Sequence, residues 1–82
     1  MKTFAYVYIL KSQLDSRRFY VGSTFDLRVR LTHPNQGQVP YTAKWKRWRL
    51  KTYIAFSETP KAKTFERYLK SVSGRAFVKK QL

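Results

Sequence analysis

Residues 4–10 (FAYVYIL) form a nearly unbroken apolar run, the pattern of a central strand covered on both faces. Residues 11–17 are polar, with Asp15-Ser16 as a turn signal, and residues 18–22 (RFYVG) supply a second short strand. Strands joined by so short a link pair antiparallel. Ser23-Thr24-Phe25-Asp26 reads as a helix start, a hydroxyl cap with an acid in the first turn. Leu27 and Leu31 stand one turn apart on its core face, Arg28 and Arg30 lie elsewhere around it, and Pro34 ends it. Asn35-Gln36-Gly37 is a turn and 38–46 is irregular. Residues 48–56 alternate Trp48, Leu50, Thr52, Ile54 and Phe56 against Arg49, Lys51, Tyr53 and Ala55, a third strand with one apolar face. Thr59 is an N-cap with Pro60 at the first helical position. Ala62, Phe65, Leu69 and Val72 trace the buried stripe, Gly74 caps the helix, and Arg75 to Gln81 form a short last one. The order β-β-α-β-α(-α) predicts an α/β fold of the α+β kind: a three-stranded, largely antiparallel sheet flanked by helices.

Composition narrows what such a fold is for. The 82 residues are expected to make one domain, 1–82, with one modest core. There is no cysteine, so neither disulfides nor thiolate zinc sites hold it. No apolar run approaches the ~18 residues of a membrane span and no secretory pattern opens the chain, so the expectation is a cytoplasmic protein with no membrane role. Eighteen Lys+Arg against four Asp+Glu give a formal charge of +14, which repels itself unless a polyanion neutralises it. No strongly amphipathic basic helix stands out, so nucleic acid is favoured over a membrane surface.

The acidic inventory excludes much chemistry. Asp15 sits in a turn, and Asp26 and Glu58 sit where helix starts favour acids, so a two-metal site of converging carboxylates is hard to assemble. His33 is the single histidine, too few for a His-based metal site. A one-carboxylate site remains. Glu66 follows Phe65 by about 100° around the helix, at the edge of the buried stripe. It is either a surface glutamate paired with Lys63 or Lys70, or the carboxylate holding one hydrated Mg²⁺ or Mn²⁺, an ion that accepts one carboxylate plus waters and phosphate oxygens. Tyr8 and Tyr20 suit either packing or catalysis, and a phenol of pKa near ~10 needs cationic neighbours to act as a base. Arg30 suits a clamp on a phosphate, its planar fork matching two oxygens, whereas Arg28 is the better candidate for a solvated basic face.

Tyr6-Val7-Tyr8 followed by Tyr20-Val21-Gly22 resembles the paired signature of the GIY-YIG nucleases. Arg30, ten residues after Tyr20, matches the family's helix arginine, and Asn35-x-Gly37 matches the turn that often follows. Phe65-Glu66-Arg67-Tyr68-Leu69-Lys70 matches the helix bearing the family's metal-binding glutamate, and Ser73-Gly74-Arg75-Ala76-Phe77 is similar to the ending of small stand-alone bacterial members. The resemblance covers nearly the whole chain. It implies a fold related to the N-terminal nuclease domain of the excision-repair incision subunit, and metal-dependent endonucleolytic hydrolysis of DNA, in repair or recombination. It further implies that Tyr8 or Tyr20 activates or orients water, Arg30 stabilises the pentacovalent phosphate, and Glu66 holds the metal. Three positions depart from the pattern: Tyr6 replaces the leading glycine, Pro34 stands where relatives often carry a histidine, and Ser23 where excision-repair relatives carry a lysine.

The segment 44–51 places five cations and two indoles in eight residues. Lys44, Lys46, Arg47 and Arg49, with Arg28, are expected to contact the phosphate backbone, and Trp45 to stack on a base, while Trp48 begins a strand and belongs to the core. No base-reading element is visible, so sequence specificity is expected to be low unless a targeting protein supplies it. The alternative to an endonuclease is a non-catalytic nucleic-acid-binding domain that kept the nuclease fold.

Overall fold

The computed structural model describes residues 3–15, 17–30 and 48–82. The apolar run becomes strand β1 (Ala5–Ser12), with β2 (Phe19–Thr24) on one side and β3 (Trp48–Phe56) on the other, both antiparallel, in the order β2-β1-β3. As the central strand it is covered twice: Val7, Tyr8, Ile9 and Leu10 each retain about 1% of their exposure. Helix α1 begins at 27, and its first turn, 27–30, closes that described stretch. Helices α2 (Thr59–Leu69) and α3 (Val72–Gln81) follow β3. The predicted α+β fold, a three-stranded antiparallel sheet with helices in the order β-β-α-β-α-α, is the one observed.

One face of the sheet packs Ala5, Val7, Ile9 and Val21 against Ala62 and Leu69 of α2 and Val78 of α3. The other gathers Tyr8, Leu10 and Trp48, with Tyr20 and Leu27 against them. A bulge separates the two along β3: Ile9 faces Thr52 but Leu10 faces Leu50, leaving Lys51 as the extra residue. A one-residue slip exchanges the faces of a strand. The alternation read from sequence, with Trp48 and Phe56 on one face, therefore breaks at Lys51, and Trp48 packs opposite to Phe56.

Local ends also differ from expectation. Ser23 and Thr24 complete β2 instead of opening a helix, and Asp26 caps α1, accepting the Val29 N–H on Oδ1 at 3.3 Å. Glu58, not Thr59, is the N-cap of α2, with Pro60 in its first turn. Gly74 is not a cap but lies inside α3, whose cap is Ser71, its Oγ accepting the Gly74 N–H at 3.1 Å. Val72, expected on the buried stripe, is 88% exposed because α2 has already ended at Leu69. Ser16, Leu31, His33, Pro34, the 35–37 turn and the irregular 38–46 stretch lie outside the described residues. Among the described residues no helix is long and apolar enough to cross a membrane.

Candidate active site

The sheet register decides which side each site residue faces. Tyr8 pairs with Gly22, and Leu10 with Tyr20, so the two tyrosines share the face opposite α2, their ring centroids 6.4 Å apart. Glycine at 22 makes room for Tyr8: a Cβ there would stand 2.5 Å from the Tyr8 hydroxyl. Tyr8 thus lies flat over β2 with its hydroxyl at the edge strand. Leu27 anchors the first turn of α1 to this face, and Arg30, three residues on, falls on the same side of the helix. Its positive charge acts on the Tyr8 phenol. Arg28, about 200° away around the helix, is exposed, as is Arg30.

Ser23, the next residue of β2, projects to the opposite side, where α2 lies. Its Oγ donates to Glu66 Oε1 at 2.6 Å and accepts from Lys63 Nζ at 2.9 Å. Lys70 Nζ donates to Glu66 Oε2 at 2.9 Å, and Lys63 Nζ stands 4.0 Å from Oε1. The pairing with Lys63 and Lys70 anticipated for a surface glutamate is therefore present, but Glu66 is not a surface residue: its side chain is 18% exposed. The Ser23 contact joins positions 43 apart, and nothing in the local sequence announces it. Lys63 likewise enters the site through Ser23, visible beforehand only as a helical neighbour of Glu66.

These surroundings set the protonation states. Burial pushes the Tyr8 phenol up to about 12, reinforced by Tyr20 and by the Glu66 charge, with the bond and charge of Arg30 acting the other way. Tyr8 is neutral at neutral pH, and its cationic neighbour does not make it a phenolate. Burial also raises the Glu66 carboxyl, but the bonds from Ser23 and Lys70, together with the charges of Lys70 and Lys63, outweigh it and hold the group below the usual carboxylate range. Glu66 is ionised where the site works.

Tyr8, Tyr20, Arg30 and Glu66, from four different elements, are thus brought together at edge strand β2. A groove of about 390 Å³ lined by Ser23, Asp26, Arg30, Thr59 and Lys63 runs between the arginine and the α2 side. No group of three or more His, Cys, Asp or Glu that can hold a metal occurs among the described residues. The donors present, one ionised carboxylate with a serine hydroxyl beside it, fit a single hard cation that keeps most of its waters, such as Mg²⁺ or Mn²⁺. Of the residues expected on DNA, Arg28 and Arg49 are exposed, whereas Lys44, Trp45, Lys46 and Arg47 lie outside the described residues. Trp48 is 6% exposed and in the core, as expected. Tyr6 and Tyr53 stack edge to face at 5.9 Å next to Tyr8 on its face of the sheet, whereas Tyr68 packs against Phe65 and Phe77 on the helix side.

A family model described as the GIY-YIG catalytic domain matches residues 4–81. No curated protein and no solved structure gives a significant match.

Proposed function

The chain belongs to the GIY-YIG family, a family of nucleases acting on DNA, and from that premise we propose that it is a divalent-metal-dependent DNA endonuclease. One observation carries the reading: strand β2 sets Tyr20 beside Tyr8, ring centroids 6.4 Å apart, and through Ser23 holds the Glu66 carboxylate at 2.6 Å. Buried phenol, arginine fork and lone carboxylate are what in-line hydrolysis of a phosphodiester needs, because positioning and charge stabilisation lower its barrier.

Arg30 holds two non-bridging oxygens of the scissile phosphate and meets the charge that grows on them in the pentacovalent transition state. Tyr8, which keeps its proton, positions Arg30 and donates a hydrogen bond to the attacking water or the phosphate. Tyr20, half-buried beside it, orients that water through its hydroxyl. Glu66, fixed by Ser23, would hold one Mg²⁺ or Mn²⁺. The ion, when bound, supplies positive charge against the phosphate and the leaving oxygen. Lys63 and Lys70 balance the Glu66 charge and stand near enough to the site to contact phosphate oxygens. Low sequence specificity, with a targeting protein or a repair context to supply it, is part of the same proposal.

Nicking of supercoiled plasmid with Mg²⁺ or Mn²⁺ tests it. Wild type nicks, and Glu66→Gln, which keeps size and helix propensity, folds and binds DNA but does not cut. Wild-type nicking by a folded Glu66→Gln protein removes the metal site. A wild type that binds without cutting favours the non-catalytic binder. The observation on that side is the full engagement of both Glu66 oxygens by Ser23 and Lys70.

A further inference from the structure

A second groove, of about 460 Å³, runs along edge strand β2 away from Ser23. Its cations come from three places: Arg17 and Arg18 before β2, Lys70 at the end of α2, and Arg75 and Lys79 of α3. Arg75 and Lys79 are one helical turn apart and so share a face. Neither makes an ion pair with any of the described carboxylates, whereas Asp15 partly neutralises Arg17 and Arg18. None of these five belongs to the basic segment 44–51 that the sequence singles out.

Both halves of the candidate active site border this groove. Tyr20 lines it and also stacks beside Tyr8. Lys70 lines it, and its ammonium sits on Glu66. We propose that the groove carries the DNA backbone on one side of the cleaved bond, a proposal that rests on the nuclease reading above. The cations are exposed and spread out, with Arg17 86% and Lys70 51% exposed. A small anion calls for converging donors in an enclosed site; a row of separated, solvated cations along an open groove matches a line of phosphates bound by counterion release. The dimensions agree. Ser23 to Phe19 is four strand steps, ~13 Å at ~3.3 Å each, or about four base steps at ~3.4 Å of duplex axis per nucleotide. The strand would enter between Tyr20 and Lys70 and leave past Arg17 and Lys79.

The test separates binding from cleavage. Binding of a mixed-sequence linear duplex is measured across a salt series in the Glu66→Gln protein, with and without Arg75→Gln/Lys79→Gln. Losing two phosphate contacts makes the slope of log K against log salt shallower by about 1.8, at about 0.9 per contact. A control pair on α2, Lys61→Gln/Arg67→Gln, lines none of the grooves described and leaves the slope unchanged. Arg17→Gln/Arg18→Gln, on another element, reproduces the effect of the α3 pair and guards against a folding defect, which thermal melting also reports. An unchanged slope in both groove pairs, or an equal loss in the control pair, overturns the proposal. Plasmid nicking by wild type is read separately, so absence of cleavage with the groove effect intact strikes the nuclease reading and not the binding path.

Discussion

At the scale of single residues, chemistry turns on how burial acts on groups that sequence can only nominate. Arg30 and Arg28 are two positions apart, yet it is Arg30 whose charge acts on the Tyr8 phenol. Arg30→Ala is expected to slow cleavage by roughly 30- to 1,000-fold, the equivalent of about 2–4 kcal/mol of transition-state stabilisation, and to leave binding nearly intact. Arg28→Ala should weaken binding instead, and single-turnover kinetics beside equilibrium binding would expose an error if the two behaved alike. Tyr8 offers an optical test. Of the six tyrosines, the one missing from a phenolate titration of Tyr8→Phe should be the one ionising near 12. Because that folded pKa is raised above the unfolded value of ~10, the folded state retains the proton longer, and stability from this group is lost as pH rises from about 10 to about 12. Glu66 runs the other way. Its folded pKa is depressed, so its stability contribution is present above the unfolded value of ~4.3 and disappears as pH falls through the lower folded value. Acid denaturation of Glu66→Gln should lack that component.

At the scale of elements, two glycines separate architecture from catalysis. Gly74 sits where α3 crosses the end of α2, and a Cβ would stand 1.8 Å from the Tyr68 carbonyl oxygen and 2.5 Å from the Leu69 Cα. Those are backbone atoms of a capped turn, in which Ser71 Oγ donates to the same Tyr68 oxygen, so they do not move aside. Gly74→Ala is expected to cost about 3 kcal/mol or more and to lower activity only in step with the folded fraction. At Gly22 the obstacle is a side chain, the Tyr8 hydroxyl and ring. Gly22→Ala should be the milder change in melting temperature, about 1–3 kcal/mol, and the harsher one per folded molecule in nicking rate, since it displaces Tyr8 from Arg30. Melting curves and specific nicking rates of the two variants decide the matter; the reverse ranking would mean that Tyr8 is only packing.

At the scale of the whole molecule, charge dominates. A formal +14 on 82 residues destabilises the compact state by self-repulsion and attracts a polyanion. Two opposite salt responses should follow. The melting temperature of the protein alone rises as salt goes from low to physiological, because screening relieves repulsion over a Debye length of about 10 Å at 0.1 M. DNA affinity falls over the same range, with a log–log slope of about −0.9 per neutralised phosphate. Added duplex DNA should raise the melting temperature at low salt and lose that effect at high salt. An affinity indifferent to salt would contradict an interface made of phosphate contacts.

The sequence by itself determined what is local or compositional. The apolar run of β1, the strand over 48–56, the stripe through Ala62 and Leu69, and the order of elements all follow from periodicity, which nearest neighbours along the chain enforce. Elimination narrowed the candidates in the same way, because of the four acids in the chain only Glu66 is left without a turn or helix-start role. Tertiary structure decided what depends on partners distant in sequence. The bulge at Ile9/Leu10 turned Trp48 to the face opposite Phe56, although the alternation along 48–56 reads as unbroken, because register is set by the paired strand and not by the strand itself. Ser23, which reads as a helix cap, became the hydroxyl that fixes Glu66 from 43 residues away. Tyr8 kept its proton despite an adjacent arginine, because removing a phenolate from water outweighs that favourable charge, and how much water is excluded is known only once both faces of β1 are covered.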